Sequence, residues 1–195
     1  MSIVKEIKTR VGTSNDYKIK DICIDGKTLT LFYNEVLTDS SSIDNFVLKS
    51  LLNLDRNSFR KLDEHLPAIN ISKIKKNQIY DFVNNGFLII FYKKIYAVEV
   101  KAKLDRGINN IQSELSLSGP KDSFSENYNT NLGLIRRRIK SCDLKVMNLD
   151  IGVRSKTKVG ILYIDDIVDK KIVKRIDEVL RRIDIDGIID SSYLK

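Results

Sequence analysis

The sequence is poor in the residues that usually announce chemistry. It has one histidine, His65, two cysteines, Cys23 and Cys142, and no tryptophan. The cysteines lie far apart without a CxxC pair, and a lone histidine supplies no companion ligand, which excludes a Cys/His zinc site. Two isolated thiols in a chain of this size are expected to stay reduced, in keeping with a cytosolic face. With two prolines and nine glycines in 195 residues, the chain does not read as disordered. No run of about 18 apolar residues occurs, so no segment reads as a membrane span. The longest apolar stretch, Gly86 to Tyr92, has the length of a strand. The first ten residues are charged and lack the apolar centre of a signal peptide.

What is present is a core and an uneven charge. Hydrophobic residues make up 42% of the chain and charged residues 31%, enough for a buried interior and a solvated surface. The net charge is +8, which permits binding to nucleic acid or anionic lipid. The excess is local: residues 134–158 hold eight Lys or Arg against two Asp, a net of +6.

The pattern of elements predicts an α/β fold. It has two small subdomains with mixed sheets, over residues 1–102 and 120–195, joined by a linker at 103–119. Near the start, Ile19–Ile24 and Thr28–Tyr33 read as strands around Asp25-Gly26, a strong hairpin signal. A helix follows from about Ser42 to Asn53. Near the end, Leu144–Ile151 and Val159–Tyr163 read as strands, and a helix runs from about Lys170 to Ile183 with Asp169 as its cap. Tyr33 aligns with Tyr163, Leu37 with Ile167 and Asp39 with Asp169 at an offset of 130. This implies a strand–strand–helix internal repeat. Ile172, Val173, Ile176, Val179, Leu180 and Ile183 fall at helical spacing and predict a core face against the sheet. Between the halves, Ala68–Ser72 reads as a strand, Lys75–Asn84 as a short helix, and Phe87–Tyr92 and Ile95–Lys101 as strands about a Lys93-Lys94 turn.

The stretch from Ser118 to Arg138 reads SGPKDSFSENYNTNLGLIRRR. Gly119-Pro120 is a turn signal. Ser123 and Glu126 have the S-x-x-E spacing of a capping box, and Phe124, Tyr128, Leu132, Ile135 and Ile139 mark one face of the helix that follows. The helix ends in Arg136, Arg137, Arg138 and Lys140. Cations in a last turn complement the helix dipole. They also form a surface for phosphate, lipid headgroups or an acidic partner, to which Arg154, Lys156 and Lys158 add if the second hairpin lies alongside. Amides at 121–124 could bind an anion, although Asp122 and Glu126 already bring negative charge there.

Several fragments of known motifs fail. Gly26-Lys27-Thr28 ends like a phosphate-binding loop, but position 21 is Asp where that loop needs Gly, and the triplet sits in a hairpin. Asp184, Asp186 and Gly187 lack the spacing and closing Glu of a calcium loop. Asp165, Asp166 and Asp169 read as a solvated loop and a cap, and His65 as a surface residue at a helix end. No nucleophile, base and oxyanion site assemble, so no enzymatic activity and no cofactor are expected.

In order along the chain, Ile24-Asp-Gly with Leu31-Phe-Tyr, SGPKDSFSE at 118–126, Asn131 with LIRRRI at 134–139, IGVRSKT at 151–157 and RIDIDGI at 182–188 resemble the GerA family, the A subunits of spore germinant receptors. The match is close from about residue 115 and is carried by layout and short pieces before that. The chain departs from the family pattern at Ser118, where the family usually has Arg before the Gly-Pro turn. It departs again from Lys103 to Glu114, which lacks a Pro-rich, acidic character.

The resemblance implies the N-terminal domain of a germinant receptor A subunit, cut before a membrane region and made of two α/β subdomains. It implies a place in the spore inner membrane with this domain on the cytoplasmic side, partnership with other receptor subunits, and a response to a small nutrient: amino acid, sugar, nucleoside or salt. On this reading the domain couples and assembles, or binds the nutrient between its subdomains. Candidate ligand or partner residues are Gly119, Pro120, Ser123, Glu126, Asn131, Arg136, Arg137, Arg138, Arg154 and Lys156. An anionic membrane surface is a further candidate partner. The alternative is nucleic-acid binding through the basic band 134–158, which lacks interleaved aromatics and a recognition helix; no nucleic-acid partner is expected.

Overall fold

Asp25-Gly26 turns the chain from β1 (Tyr17–Ile24) into β2 (Lys27–Asn34) in the computed structural model, which describes residues 3–54, 58–67, 70–103 and 124–188. Both turn residues have positive φ, 48° and 71°, the backbone that a two-residue type I′ turn requires at both positions. The hairpin of β4 (Phe87–Tyr92) and β5 (Lys94–Glu99) is tighter: Tyr92 pairs with Lys94, and Lys93 alone makes the turn at φ 50°. Lys94 therefore belongs to the strand, not to the turn.

The described residues form two units. One runs from Lys18 to Lys140; the other joins the chain up to Tyr17 with the chain from Ser141 onward. The helix α6 (Tyr128–Arg138) thus groups with the earlier part of the chain, where sequence patterning placed it with 120–195. The expected linker at 103–119 lies, apart from Lys103, outside the described residues.

The larger unit is a five-stranded sheet in the order β1-β2-β4-β5-β3, with β3 (Ile71–Lys73) at one edge. Leu31 pairs with Ile90 and Ile71 with Val98. Every described register, here and in the other unit, is antiparallel, where the sequence implied mixed sheets. Within each hairpin the two strands are joined by one to five residues, and a parallel pair needs a crossover of about a dozen or more.

Leu29, Leu31, Leu88, Ile90 and Val98 form one buried row with Ile43, Val47, Leu51, Phe59 and Leu62. Phe32, Ile89 and Ala97 alternate with that row and are also fully buried, so both sheet faces are covered. Ile43, Val47 and Leu51 recur every four residues along α2 (Ser40–Ser42), a π-helical Ile43–Leu48 and α3 (Lys49–Leu52). Patterning anticipates this run as one regular helix. Its cap is Asp39, whose carboxylate accepts from the Ser42 N–H at 2.9 Å. Phe59 and Leu62 come from a 3-10 turn (Ser58–Lys61) and α4 (Leu62–His65). A second 3-10 turn, Lys76–Gln78, leads into α5 (Ile79–Val83), which buries Ile79 and Val83.

The smaller unit contains α1 (Ile3–Val11) and the hairpin of β6 (Leu144–Ile151) and β7 (Thr157–Ile164), paired from Leu144–Ile164 to Ile151–Thr157. α7 (Lys170–Arg181) follows, capped by Asp169. Asn15 extends the hairpin edge by donating its N–H to the Val146 carbonyl at 2.8 Å. Lys145, 3% exposed, donates to the carbonyls of Cys142, at 2.9 Å, and Arg10, so its charge sits on the last turn of α1.

The α7 stripe is only partly a core face. Val173 is buried, and Leu180 and Ile183 pack on Leu149, Ile151 and Ile188. Ile172, Ile176 and Val179 remain 41–54% exposed. A two-stranded hairpin is narrower than an apolar stripe spanning more than about 100° of the helix.

The offset of 130 is visible in the backbone. Leu37 and Thr38 donate to the Asn34 carbonyl as Ile167 and Val168 donate to that of Ile164. The likeness is confined to this strand-to-helix turn. β1 and β2 belong to a five-stranded sheet and β6 and β7 to a two-stranded one, and the following helices differ in winding.

Candidate functional site

The helix that carries the arginines begins later than its sequence implies. Its N-cap is Asn127, whose side chain accepts from the Thr130 N–H at 3.0 Å. Glu126 is exposed and precedes the helix, so it does not act as the third residue of a capping box. Ser123, Gly119 and Pro120 lie outside the described residues. The cap moves because Asn is among the strongest N-cap residues and because Asn131 fixes the approach. Its side-chain amide accepts from the Ser125 N–H and donates to the Ser125 carbonyl, each at 2.7 Å.

The buried face of α6 is Leu132, Gly133 and Arg136. Phe124 and Ile139, expected on that face, are 64% and 40% exposed, and Tyr128 and Ile135 are half-buried. The three arginines separate accordingly. Arg136 is 1% exposed, while Arg137 and Arg138 are exposed. Residues four apart share a helix face, which sends Arg136 inward with Leu132. The triple arginine is therefore not a uniform surface.

Arg154 and Lys156 lie in the five-residue turn between β6 and β7, in the smaller unit, and both are exposed. The Val153 N–H donates to the Ile185 carbonyl at 2.9 Å, and those of Arg154 and Ser155 donate to the Asp186 carbonyl at 2.9 and 3.1 Å. Ile188 donates its N–H to Ser155 Oγ at 3.2 Å. The segments IGVRSKT and RIDIDGI, about thirty residues apart in sequence, thus form one backbone clasp. The Arg154–Asp186 ion pair at 3.5 Å is highly exposed and contributes little.

What patterning did not reveal is a cavity of about 340 Å³ in the larger unit. It is lined by Leu37, the Asn84–Gly86 turn after α5, Lys101 and Ala102, and Arg137 and Lys140. Gly86 has φ +80°, and a Cβ there would meet the Leu37 carbonyl oxygen at 2.7 Å, so this close approach in the cavity lining requires glycine. Lys140 Nζ donates to Asn85 Oδ1 at 2.7 Å, Asn85 Nδ2 donates to the Asp81 carbonyl at 2.7 Å, and Asn84 Nδ2 donates to the Lys140 carbonyl at 3.3 Å.

Arg137 reaches the Ala102 carbonyl at 3.4 Å. Lys101 pairs with Glu99 at 2.6 Å and lies 5.0 Å from the centre of the Phe87 ring. Lys101, together with a hydrogen bond from Asn70, holds the Glu99 carboxyl below its usual range. Three cations and no carboxylate line the cavity, with the Lys101 charge shared with Glu99. Of the basic residues proposed from sequence, Arg137 and Lys140 lie here, and the other candidate site residues among those described do not line it. Asn85-Gly86 was legible as a turn and Lys140 as part of a basic run, but no pattern links positions 37, 85, 101 and 140.

Among the described residues no cluster of three or more His, Cys, Asp or Glu could hold a metal ion. Both cysteines are free thiols, Cys23 exposed and Cys142 buried. No helix among them is long and apolar enough to cross a membrane.

Comparison with known proteins gives a consistent result. The family model described as Bacillus/Clostridium GerA spore germination protein matches residues 5–195. The chain is similar to spore germination protein XA of Bacillus anthracis, at 29% identity over 89% of this chain and 38% of that protein. It is also similar to spore germination protein GerIA of Bacillus cereus, at 31% over 80% of this chain and 24% of that protein. It thus spans well under half the length of these relatives. Among solved structures it resembles the N-terminal domain of the A subunit of the Bacillus megaterium spore germinant receptor GerK3. The TM-score is 0.72 and the identity 27%, covering 97% of this chain and 74% of that one.

Proposed function

The chain belongs to the GerA family of spore germination proteins, and from that premise we propose that it works as the N-terminal domain of a germinant receptor A subunit, coupling nutrient recognition to germination by assembling with other receptor subunits. The observation that carries this reading is the likeness over 97% of the chain to such a domain. The same reading gives the full-length protein a place in the spore inner membrane, with this domain on the cytoplasmic side. The reduced thiols and the basic residues favour that side.

Assembly is favoured by the outer face of α7. Ile172, Ile176 and Val179 lie along one side of that helix and are exposed, with Ile167, 79% exposed, just before it. A clustered apolar face on a chain with this much charge marks an interaction surface; its occupant in this reading is another receptor subunit. Replacing Ile172 and Ile176 with Ser in the full-length receptor should abolish the germination response while receptor abundance in the spore membrane stays normal. Germination at the unaltered rate would refute assembly through this face.

The nucleic-acid alternative loses its footing. The basic band is not uniformly exposed, because Arg136 is buried, and the band lacks a recognition helix with base-reading side chains.

A further inference from the structure

We propose that the cavity bounded by the Asn84–Gly86 turn, Lys101 and the end of α6 is a binding site for a small oxyanion, a carboxylate or a phosphate, held by Arg137 and Lys140. Three cationic side chains reach it from two stretches distant in sequence, and no lining residue is acidic. Like charges converge at some cost, which a bound anion relieves. Lys101 already shares its charge with Glu99, so the anion falls chiefly to the other two.

Both are placed for it. Lys140 uses one of its three ammonium donors on Asn85 Oδ1, and Asn85 is itself held by the Asp81 carbonyl. The ammonium is thereby held in the cavity lining before any ligand arrives, which lowers the ordering cost of binding. The one contact of the Arg137 guanidinium among the described residues is a long one, 3.4 Å to Ala102. Its planar fork matches two oxygens of a carboxylate or phosphate. The volume of about 340 Å³ is at the small end of ligand pockets, roughly 300–1,000 Å³. The lining lacks an aromatic wall, so the charged end of a small molecule, or the inorganic ion, is what fits.

The test uses the 195-residue chain in an amide NMR titration. Sodium phosphate and sodium acetate are each compared with sodium chloride at equal ionic strength. Saturable shifts at Asn85, Gly86, Lys101 and Ala102 are expected, with affinity reduced at least about tenfold in Arg137→Ala and in Lys140→Ala and unchanged in Arg138→Ala. Saturation by phosphate alone assigns a phosphate, by acetate alone a carboxylate, and by both a general oxyanion site. Shifts no larger than those with chloride, or equal losses in Arg138→Ala, overturn the proposal. Thermal melts of each variant separate loss of the site from loss of the fold. The readout is independent of germination, so this inference and the assembly reading fail separately.

Discussion

The side-chain amide of Asn131 brackets the backbone of Ser125, accepting from its N–H and donating to its carbonyl at 2.7 Å each. An amide side chain used this way copies the pairing of a neighbouring strand. It pins the segment entering α6 to the second turn of that helix, while Asn127 caps the first. Asn131 therefore has a structural task, fixing the helix whose last turn brings Arg137 to the cavity.

Asn131→Ala should cost about 1–2 kcal/mol, the net of two partly buried hydrogen bonds. Asn131→Asp keeps only the acceptor and should lose stability by facing a carboxylate to the Ser125 carbonyl. Urea denaturation gives both values, and a large shift of the Ser125 amide resonance should accompany either change.

The three arginines should respond unequally. Arg136 is buried and large, so Arg136→Ala should destabilise by about 3 kcal/mol, through lost packing and polar groups left without partners. Arg137→Ala and Arg138→Ala should stay within about 0.5 kcal/mol of the parent. Thermal melts of the three single variants check this; equal effects would contradict the assigned burial.

Gly86→Ala should destabilise by roughly 1–3 kcal/mol, because the residue has positive φ and its new Cβ would press on the Leu37 carbonyl. The lesion lies in the cavity lining. The Arg137 and Lys140 variants, by contrast, should leave the melting temperature nearly unchanged.

Stability should fall at both ends of the pH scale. Lys73, at 2.7 Å, holds the Asp63 carboxyl below its usual range; Lys101 and Asn70 do the same for Glu99, and Ser42 for Asp39. The folded state keeps these groups ionised to lower pH than the unfolded chain does. Their contribution is full above about pH 4 and is lost as pH falls through the depressed folded values. Burial raises the Tyr33 and Tyr96 phenols, so their contribution is full below about pH 10 and is lost as pH rises beyond it. Urea midpoints from pH 2 to 11 should show a plateau between these limits, and Asp63→Asn should flatten the acid limb.

Local features were readable where neighbours in sequence decide them. Asp25-Gly26 specifies its own turn, Phe87–Tyr92 its own strand, and Asp169 its own helix start. Where two local signals competed, the reading slipped: Asn127, not the Ser123–Glu126 pair, caps α6. Periodicity showed that α7 has an apolar stripe. It could not show that a two-stranded hairpin would cover only one flank of it.

The sequence by itself determined the strands, the hairpin turns, the α/β class and, through SGPKDSFSE, LIRRRI, IGVRSKT and RIDIDGI, the family. These rest on bonds and spacings within a few residues, or on the identity of the residues themselves. Tertiary structure alone decided that Arg136 is buried while Arg137 is not, that IGVRSKT and RIDIDGI form one clasp, and that Asn85, Lys101, Arg137 and Lys140 share a cavity. Those outcomes depend on which surfaces the folded chain brings together, and burial and electrostatics act through space between residues that no spacing in the sequence connects.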